Sequence, residues 1–273
     1  MSLDVVLIGA NQSSWHILTG AEGVMIGGGF GGLDFPTYAQ QVFSTAHQAG
    51  RTYRGTRYDA RKLPITLHVG DMWSTARTDD TWRDLDAQFR AALSPEQLQK
   101  LIIVSNHGYR WWDVRLDEYV PTAVATDPGL QGLNTYNAVF VADNPFPQGF
   151  GFSAPVPIGG VTAYNGGDID AWPVWTVRGP AAGTCVVTVG SGALVTTLPP
   201  LSVGQSLFFD TDPTKRSILD QNGVSRRGEL TARDLRASVP ANGNRAFSWS
   251  ATGYGANPMS VQLDVPFRYR AAW

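Results

Sequence analysis

The sequence has little of what disulfides, thiol chemistry or membrane insertion require. Cys185 is the only cysteine among 273 residues, so an internal disulfide is impossible and a metal site cannot rest on thiolates. Nothing near it in the sequence would lower a thiol pKa, so we expect a small buried side chain and not a nucleophile. No apolar run approaches the length of a membrane span, which predicts no membrane insertion.

Charge is also scarce. Charged residues make up 16% of the chain, the formal net charge is -2 and the sequence pI is about 6.1. Because there is no overall positive field to hold phosphates, we expect no nucleic-acid specificity. The N-terminal residues lack the basic segment and cleavage pattern of a secretory signal, so we expect folding in a cytoplasm.

A catalytic constellation is missing from the sequence pattern as well. The chain has four histidines, and no pair has the i, i+4 spacing with a Glu that a helical zinc site uses. The pairs Asp168/Asp170 and Asp210/Asp212 could hold a hard cation, but turn formation explains them better. We predict no enzymatic activity, no cofactor and no metal site; a glycosidase with paired carboxylates is the alternative that these aspartates leave open.

Glycine is concentrated in one place, residues 27–32, in the sequence GGGFGG. A phosphate-binding loop would need a Lys and a Ser or Thr directly afterwards, and here Leu33, Asp34, Phe35 and Pro36 follow. The cluster therefore predicts a mobile loop between strands.

What remains is the pattern of a mostly β protein. Residues 63–69 alternate apolar and polar side chains, which predicts a half-buried strand. Trp82, Leu85, Phe89, Ala92 and Leu93 lie on one helical stripe, which predicts a helix packed on a sheet. Residues 101–116 predict a hairpin around Asn106, His107 and Gly108. The last third consists of short strands separated by Gly, Pro, Asn and Asp, as in an antiparallel sandwich.

Prolines and glycines between residues 143 and 160 predict a linker between two domains. We therefore expect a β-rich domain with one packed helix over residues 1–150, and an antiparallel β-sandwich over residues 151–273.

The order of these features resembles a known family, the distal tail proteins of long-tailed, non-contractile bacteriophages. The resemblance covers most of the chain. In the first domain it rests on three features. These are a basic turn that leads into an alternating strand, TRYDARKLPI (56–65); a helix that runs from TWRDL (81–85) to AALSP (91–95); and a strand that ends in Asp, Pro and an aromatic residue, VFVADNPF (139–146). In the second domain it rests on two segments, PVWTVRG (173–179) and GQSLFFD (204–210).

This resemblance implies a structural virion protein of the tail tip. Its first domain would form a ring, hexameric in the family, that joins the tail tube to the baseplate. Its second domain would be a galectin-like sandwich that docks adhesion components. The partners implied are other copies of the chain, the tail tube protein, the tape-measure or central tip protein, and receptor-binding proteins, with assembly in the host cytoplasm.

Two groups of residues are candidate contact sites. Arg51, Arg54, Arg57 and Arg61, interleaved with Tyr53 and Tyr58, form a candidate subunit interface, with a solvated charged loop as the alternative. Trp172, Trp175, Trp249 and Tyr254 could contact a glycan or a partner, or else fill the sandwich core. A carbohydrate-binding adhesin is thus the alternative function. The second domain has no histidine, which a working galectin site uses, so no galectin site residues are carried over.

Overall fold

The computed structural model describes residues 3–70, 79–122, 127–230, 237–254 and 259–273, without the side chains of residues 79–81 and 254. The chain divides into two compact units. The first comprises Met1–Gln148 and Arg270–Trp273, and the second comprises Gly149–Tyr269. The second unit is thus inserted near the end of the first, whereas the sequence pattern placed the boundary at residue 150 and counted the last four residues with the second domain.

The first unit contains strands and two helices in its described part. Its elements are β1 (Asp4–Ile8), β2 (Ser14–His16), β3 (Val24–Phe30), β4 (Tyr38–Phe43), β5 (Thr52–Tyr58), β6 (Arg61–Gly70), α1 (Asp79–Ala92), β7 (Gln99–Ser105), β8 (Gly108–Pro121), α2 (Pro128–Gln131) and β9 (Leu133–Ala142).

One antiparallel sheet organises this unit, in the order β2-β1-β7-β8-β9-β6-β3. Strand β8 pairs with β7 through its first half and with β9 through its second, and a bulge separates Leu116 from Glu118. A bulge increases the local twist of a strand, so we expect β8 to be strongly twisted near Leu116 and Glu118. The amide of Ile26, in β3, donates to the carbonyl of Ile17, just after β2.

The core of the first unit confirms the predicted strand and helix. Leu63, Ile65, Leu67 and Val69 of β6 are buried, as their alternation predicts. Phe89 and Ala92 of helix α1 are fully buried in the same core. Leu85 and Leu93 of the predicted stripe are partly buried against it, and Trp82 is 8% exposed. The predicted hairpin is also present, as β7 and β8 joined at Ser105 and Gly108.

Two predictions about loops were wrong. Gly27, Gly28 and Gly29 lie within strand β3 and not in a mobile loop, because the residues on either side of them pair with β6. Residues 148–155 of the predicted linker form a strand, β10. Pairing with neighbouring strands outweighs the low strand propensity of glycine in both places.

The second unit contains short strands and one short 3-10 helix in its described part. Its elements are β10 (Gln148–Pro155), β11 (Val161–Tyr164), β12 (Val174–Arg178), β13 (Gly183–Ser191), β14 (Leu194–Thr197), β15 (Leu201–Ser202), β16 (Ser206–Asp210), β17 (Ile218–Asp220), the 3-10 helix Arg227–Glu229, β18 (Asn244–Tyr254) and β19 (Ser260–Arg268).

These strands form two antiparallel sheets around one core. One sheet has the order β17-β16-β12-β19-β10, and the other has the order β11-β18-β13-β14, with β15 beside β13. Both sheets contribute to a shared apolar cluster that includes Trp175, Val187, Phe209, Trp249 and Leu263. The chain is therefore mostly β, as predicted, and its second unit is an antiparallel sandwich.

Candidate functional site

Strands β4 and β5 form a hairpin that stands apart from the sheet of the first unit. Their register runs from Tyr38 opposite Tyr58 to Phe43 opposite Thr52. Within the described parts of the chain, neither strand pairs with a third. All six residues of β4 are exposed. A two-stranded hairpin is marginally stable in water by itself, so this element gains most from a surface that covers it.

The hairpin carries large apolar side chains in spite of its exposure. Phe43 is 50% exposed and Tyr53 is 59% exposed. Further exposed apolar residues on the hairpin or just before it are Phe35, Tyr38 and Val42. Single exposed apolar residues are ordinary, but a group of them on one projecting element marks an interaction surface.

Five of the six residues predicted as a subunit interface lie on or beside this hairpin, namely Arg51, Tyr53, Arg54, Arg57 and Tyr58. The side chain of Arg51 donates to Gln40 across the hairpin at 3.3 Å. Arg54 lies over the ring of Phe43, 5.6 Å from its centre. Arg57 pairs with Asp59 at 2.8 Å, which offsets its charge. The hairpin is therefore aromatic and only partly cationic.

Arg61 does not belong to this surface. It is 3% exposed, and its guanidinium donates to the carbonyl oxygens of Gly32, Asp34 and Arg270. Burial lowers the pKa of Arg61 to about 10, which leaves it charged at neutral pH. Its partners lie inside the first unit, so the prediction of an interface role is corrected for this residue: it is a structural cation.

Aromatic contacts hold the base of the hairpin. Tyr38 contacts Phe35 and Tyr58, each with 6.2 Å between ring centres, and Tyr58 contacts Phe146 at 4.9 Å. The guanidinium of Arg270 lies 5.4 Å from the centre of the Phe35 ring. The base is thus fixed to the first unit, whereas the contact of Phe43 at the opposite end is made by Arg54 of the hairpin itself.

Four aromatic residues on the hairpin or in contact with its base were not predicted from the sequence. They are Phe35, Tyr38, Phe43 and Phe146. The one available signal was the segment YAQQVF of β4, in which two glutamines interrupt the apolar residues so that neither face could be buried.

Of the four aromatic residues proposed for glycan contact, two are buried in the sandwich core. Trp175 is 2% exposed and Trp249 is 7% exposed, both in the sandwich core. The indole of Trp249 donates to the carbonyl of Val156 at 2.7 Å. Trp172 is half-buried, and the side chain of Tyr254 lies outside the described residues. The core interpretation therefore holds for Trp175 and Trp249, whose faces are not available to a ligand.

The aspartate pairs have structural partners. Asp170 accepts a hydrogen bond from the amide of Ala241, and Asp210 accepts one from the amide of Asp212. Asp212 itself is buried and pairs with Arg268. Burial acts to raise the pKa of Asp212, but hydrogen bonds from Arg268 and Thr214 outweigh it and hold that pKa below its usual value.

Three other titratable groups, His16, His68 and Cys185, also have a structural explanation. His16 pairs with Asp4 at 2.8 Å, and the ring of His68 hydrogen-bonds the hydroxyl of Thr135. Cys185 is buried, and burial raises the pKa of its thiol. Among the described residues, no three acidic, histidine or cysteine side chains come together in a way that could hold a metal ion. In that same part of the chain, no helix has the length and hydrophobicity to cross a membrane.

The fold is similar to those of solved hub and baseplate proteins of phage tails. The Dit protein (gp 19.1) of phage SPP1, described as a paradigm of the hub adsorption apparatus in phages that infect Gram-positive bacteria, is similar over 98% of this chain and 100% of its own, with a TM-score of 0.66 and 11% identity.

Two chains of the phage P2 baseplate in its activated conformation are similar as well. The chain from the structure with Ca has a TM-score of 0.59 and 8% identity, covering 100% of both chains. The chain from the structure with Sr has a TM-score of 0.58 and 8% identity, covering 97% of this chain and 98% of its own. No protein-family model matches the sequence. No curated protein matches it significantly.

Proposed function

We propose that this protein is a structural component of a phage tail tip, where it forms a hexameric ring that links the tail tube to the baseplate. The observation that carries the proposal is the similarity to SPP1 Dit, which extends over both units and over the full length of that hub protein. A likeness confined to one sandwich would say little, because sandwiches serve many functions.

The first unit is the ring-forming part in this proposal. A ring of identical subunits needs a heterologous contact, in which one surface of a subunit meets a different surface of the next. The β4–β5 hairpin is suited to such a contact, since all of β4 and four of the seven residues of β5 are exposed. It carries Tyr53 and Tyr58 among Arg51, Arg54 and Arg57. Tyrosine and arginine are enriched at the centres of protein interfaces.

The second unit is the docking platform for adhesion components. Its paired aspartates serve turns and an internal ion pair, which supports a non-enzymatic role. The partners are other copies of the chain, the tail tube protein, the tape-measure or central tip protein, and receptor-binding proteins. The site of action is the virion tail tip, after assembly in the host cytoplasm.

The adhesin alternative loses two of its four stated residues, because Trp175 and Trp249 lie in the core. No other observation in the described residues favours it.

The test of this function is to locate the protein in particles. Antibody-coupled gold should label one end of the tail of particles whose genome encodes the chain, and disruption of the gene should give particles without a tail tip. Label on the capsid, or normal tails after disruption, would contradict the proposal.

A further inference from the structure

An open cavity of about 430 Å³ lies in the second unit, at the end of strand β12. It is bordered by the start of β16, the start of β19 and the turn between β15 and β16. We call it the β12 pocket; the lining residues used most below are Arg178, Gly179, Val203, Gln205, Ser206 and Ser260. A cavity of this size is in the range of sites that hold small molecules.

The strand register places Arg178 between two serines. Arg178 is the last residue of β12, and it lies opposite Ser206 of β16 on one side and Ser260 of β19 on the other. Residues directly opposite each other in an antiparallel sheet project from the same face, with Cβ atoms about 5 Å apart. The preceding residue, Val177, is buried in the sandwich core, so Arg178 and both serines project from the outer face. One guanidinium group is therefore flanked by a hydroxyl-bearing residue on each side.

The charge of Arg178 is not neutralised within the described part of the chain. Its side chain is exposed and has no hydrogen bond or ion pair with another described residue. Two other arginines of the same unit do have carboxylate partners, since Arg226 pairs with Glu229 and Arg268 pairs with Asp212. Among the described residues that line the β12 pocket, none is acidic. The pocket therefore presents a cation with no carboxylate beside it.

The turn beside Arg178 is fixed by its own hydrogen bonds. The amide of Gly179 donates to the carbonyl of Gln205 at 2.8 Å, and the amide of Gln205 donates to the carbonyl of Ser202 at 3.2 Å. The amide of Ser202 donates to the side-chain oxygen of Gln205 at 2.9 Å. A Cβ at Gly179 would lie 2.4 Å from the carbonyl oxygen of Ser202, so glycine there lets the turn pack closely. This wall of the pocket is thus formed by the chain alone.

The polar groups that line the pocket are hydrogen-bond donors. They are the guanidinium of Arg178, the side-chain amide nitrogen of Gln205 and the hydroxyls of Ser206 and Ser260. A guanidinium group binds two oxygens of a carboxylate or of a phosphate. A carboxylate has only those two oxygens, whereas a phosphate group has further oxygens that can accept from the flanking hydroxyls. The set of donors therefore favours a phosphate group.

The rest of the lining is mostly apolar. Pro180, Ala181, Val203 and Met259 supply it, and Val203 is 55% exposed. Apolar surface beside a charged group suits a ligand that carries carbon atoms next to its phosphate, because those atoms would be removed from water.

We infer that the β12 pocket binds a phosphate group, which pairs with Arg178 and accepts further hydrogen bonds from Gln205, Ser206 and Ser260. Inorganic phosphate and small organic phosphate esters share this chemistry, and the apolar surface favours an ester. The site goes beyond the proposed function, because every residue that forms it belongs to the second unit of one chain.

Calorimetric titration of the full chain tests the site with three probes: inorganic phosphate, glycerol 3-phosphate and succinate. Ionic strength is held constant with chloride. Both phosphates should bind saturably, with dissociation constants on the order of 1 mM or lower. Tighter binding of glycerol 3-phosphate would assign the site to an ester, and equal binding would assign it to the free anion. Absence of saturable phosphate binding would overturn the inference, and so would equally tight binding of the dicarboxylate succinate.

Substitutions at Arg178 locate the binding. Arg178→Met removes the charge but keeps the length of the side chain, so it should weaken phosphate binding by about tenfold or more. Arg178→Lys should recover part of the loss, because an ammonium group keeps the charge but lacks the planar fork. The matched control is Arg227→Met, which removes an exposed arginine on the 3-10 helix of the same unit and should bind like the parent chain. Unchanged binding in Arg178→Met would overturn the inference.

Chemical protection of the parent chain gives a second readout. Phenylglyoxal modifies exposed arginines, and mass spectrometry of peptides reports the rate at each one. Glycerol 3-phosphate at about ten times its dissociation constant should slow modification of Arg178 about tenfold by mass action. The rate at Arg227 should stay unchanged. Equal rates at Arg178 with and without the phosphate would overturn the inference. This result is distinct from failure of the proposed function, which is decided by labelling of particles.

Discussion

The guanidinium of Arg61 lies over the ring of Trp112, 5.0 Å from its centre, inside the first unit. The same group donates to carbonyls of Gly32 and Asp34, just before the hairpin, and to Arg270 in the C-terminal segment. The amide of Ala272 completes this arrangement by donating to the carbonyl of Leu33. One buried cation therefore ties together two segments that are far apart in sequence.

Replacement of Arg61 by leucine should destabilise the first unit. Three carbonyls would lose a charged donor in part-buried hydrogen bonds, and the buried side chain would lose its contact with Trp112. The expected loss of unfolding free energy is ~2–4 kcal/mol. Arg61→Lys should recover only part of this, since a single ammonium cannot reproduce the planar fork of donors. Urea unfolding followed by hydrogen exchange should assign the loss to the first unit.

The matched control is Arg57→Leu, because Arg57 is exposed and pairs with the exposed Asp59. The free energy of unfolding of this variant should stay within about 0.5 kcal/mol of that of the parent chain. Equal losses of unfolding free energy in the two variants would show that the buried Arg61 stabilises the chain no more than an exposed arginine does.

Alanine at position 28 or 29 should leave the folded chain intact. Because neither site is crowded or strained, the free energy of unfolding should stay unchanged or rise by ~0.5–1 kcal/mol. Gly32→Ala should lower it by more than ~1 kcal/mol, because its φ is positive and Lys62 is close. Urea midpoints of the three variants measure this, and a large loss at position 28 or 29 would mean that the chain itself needs glycine there.

The pair formed by Asp212 and Arg268 should govern the acid stability of the second unit. The folded state holds the pKa of Asp212 below its ordinary value, so the stabilising contribution is present above the unfolded pKa and is lost as pH falls through the folded one. Thermal unfolding between pH 2 and pH 6, a range set by the ordinary carboxyl pKa of ~4, should show this loss.

Asp212→Asn should remove this dependence of stability on pH. It should also lower the free energy of unfolding by ~2–4 kcal/mol at neutral pH, since it leaves Arg268 without its carboxylate. Asp264→Asn is the control, because Asp264 accepts a hydrogen bond from the neutral side chain of Gln262. A full acid transition retained in Asp212→Asn would exclude this pair as its cause.

The pair of His16 and Asp4 should make stability depend on pH in the opposite direction. Hydrogen bonding to Asp4 raises the pKa of His16 in spite of partial burial. The contribution of this pair is therefore complete below the unfolded pKa and is lost as pH rises through the higher folded pKa. Solvent reaches both side chains, which are 42% exposed in His16 and 21% exposed in Asp4. Screening by water should therefore keep the contribution to the unfolding free energy at ~0.5 kcal/mol or less.

NMR titration of the His16 ring measures this directly. Its midpoint should lie above that of the parent histidine in unfolded protein, and Asp4→Asn should bring it down. A midpoint unchanged by Asp4→Asn would exclude the pair as the cause.

Alternation and helical periodicity predicted the parts of the fold in which one face is buried. Residues 63–69 and the stripe from Trp82 to Leu93 occupy the expected faces, because the core imposes that period directly on the sequence. The loop prediction for residues 27–29 failed because pairing of the flanking residues with β6 decides their conformation, and local propensity does not contain that information.

The kinds of residue at the candidate site could be predicted from the sequence, but the individual residues that belong to it could not. Arg57 and Arg61 look alike in sequence, and what separates them is that the partners of Arg61 include Arg270, 209 residues away. Likewise, no local pattern distinguishes a tryptophan in a sandwich core from one on a binding face, so Trp175 and Trp249 could be assigned only once both sheets were known.

The most direct test of the central claim is the mass of the purified chain by light scattering, with negative-stain imaging of the same sample. We expect closed rings with a central opening and six times the subunit mass of 29.5 kDa. Rings should be lost in a Phe43→Ala, Tyr53→Ala variant and kept in Leu130→Ala. A chain that remains at 29.5 kDa at every concentration would contradict the account.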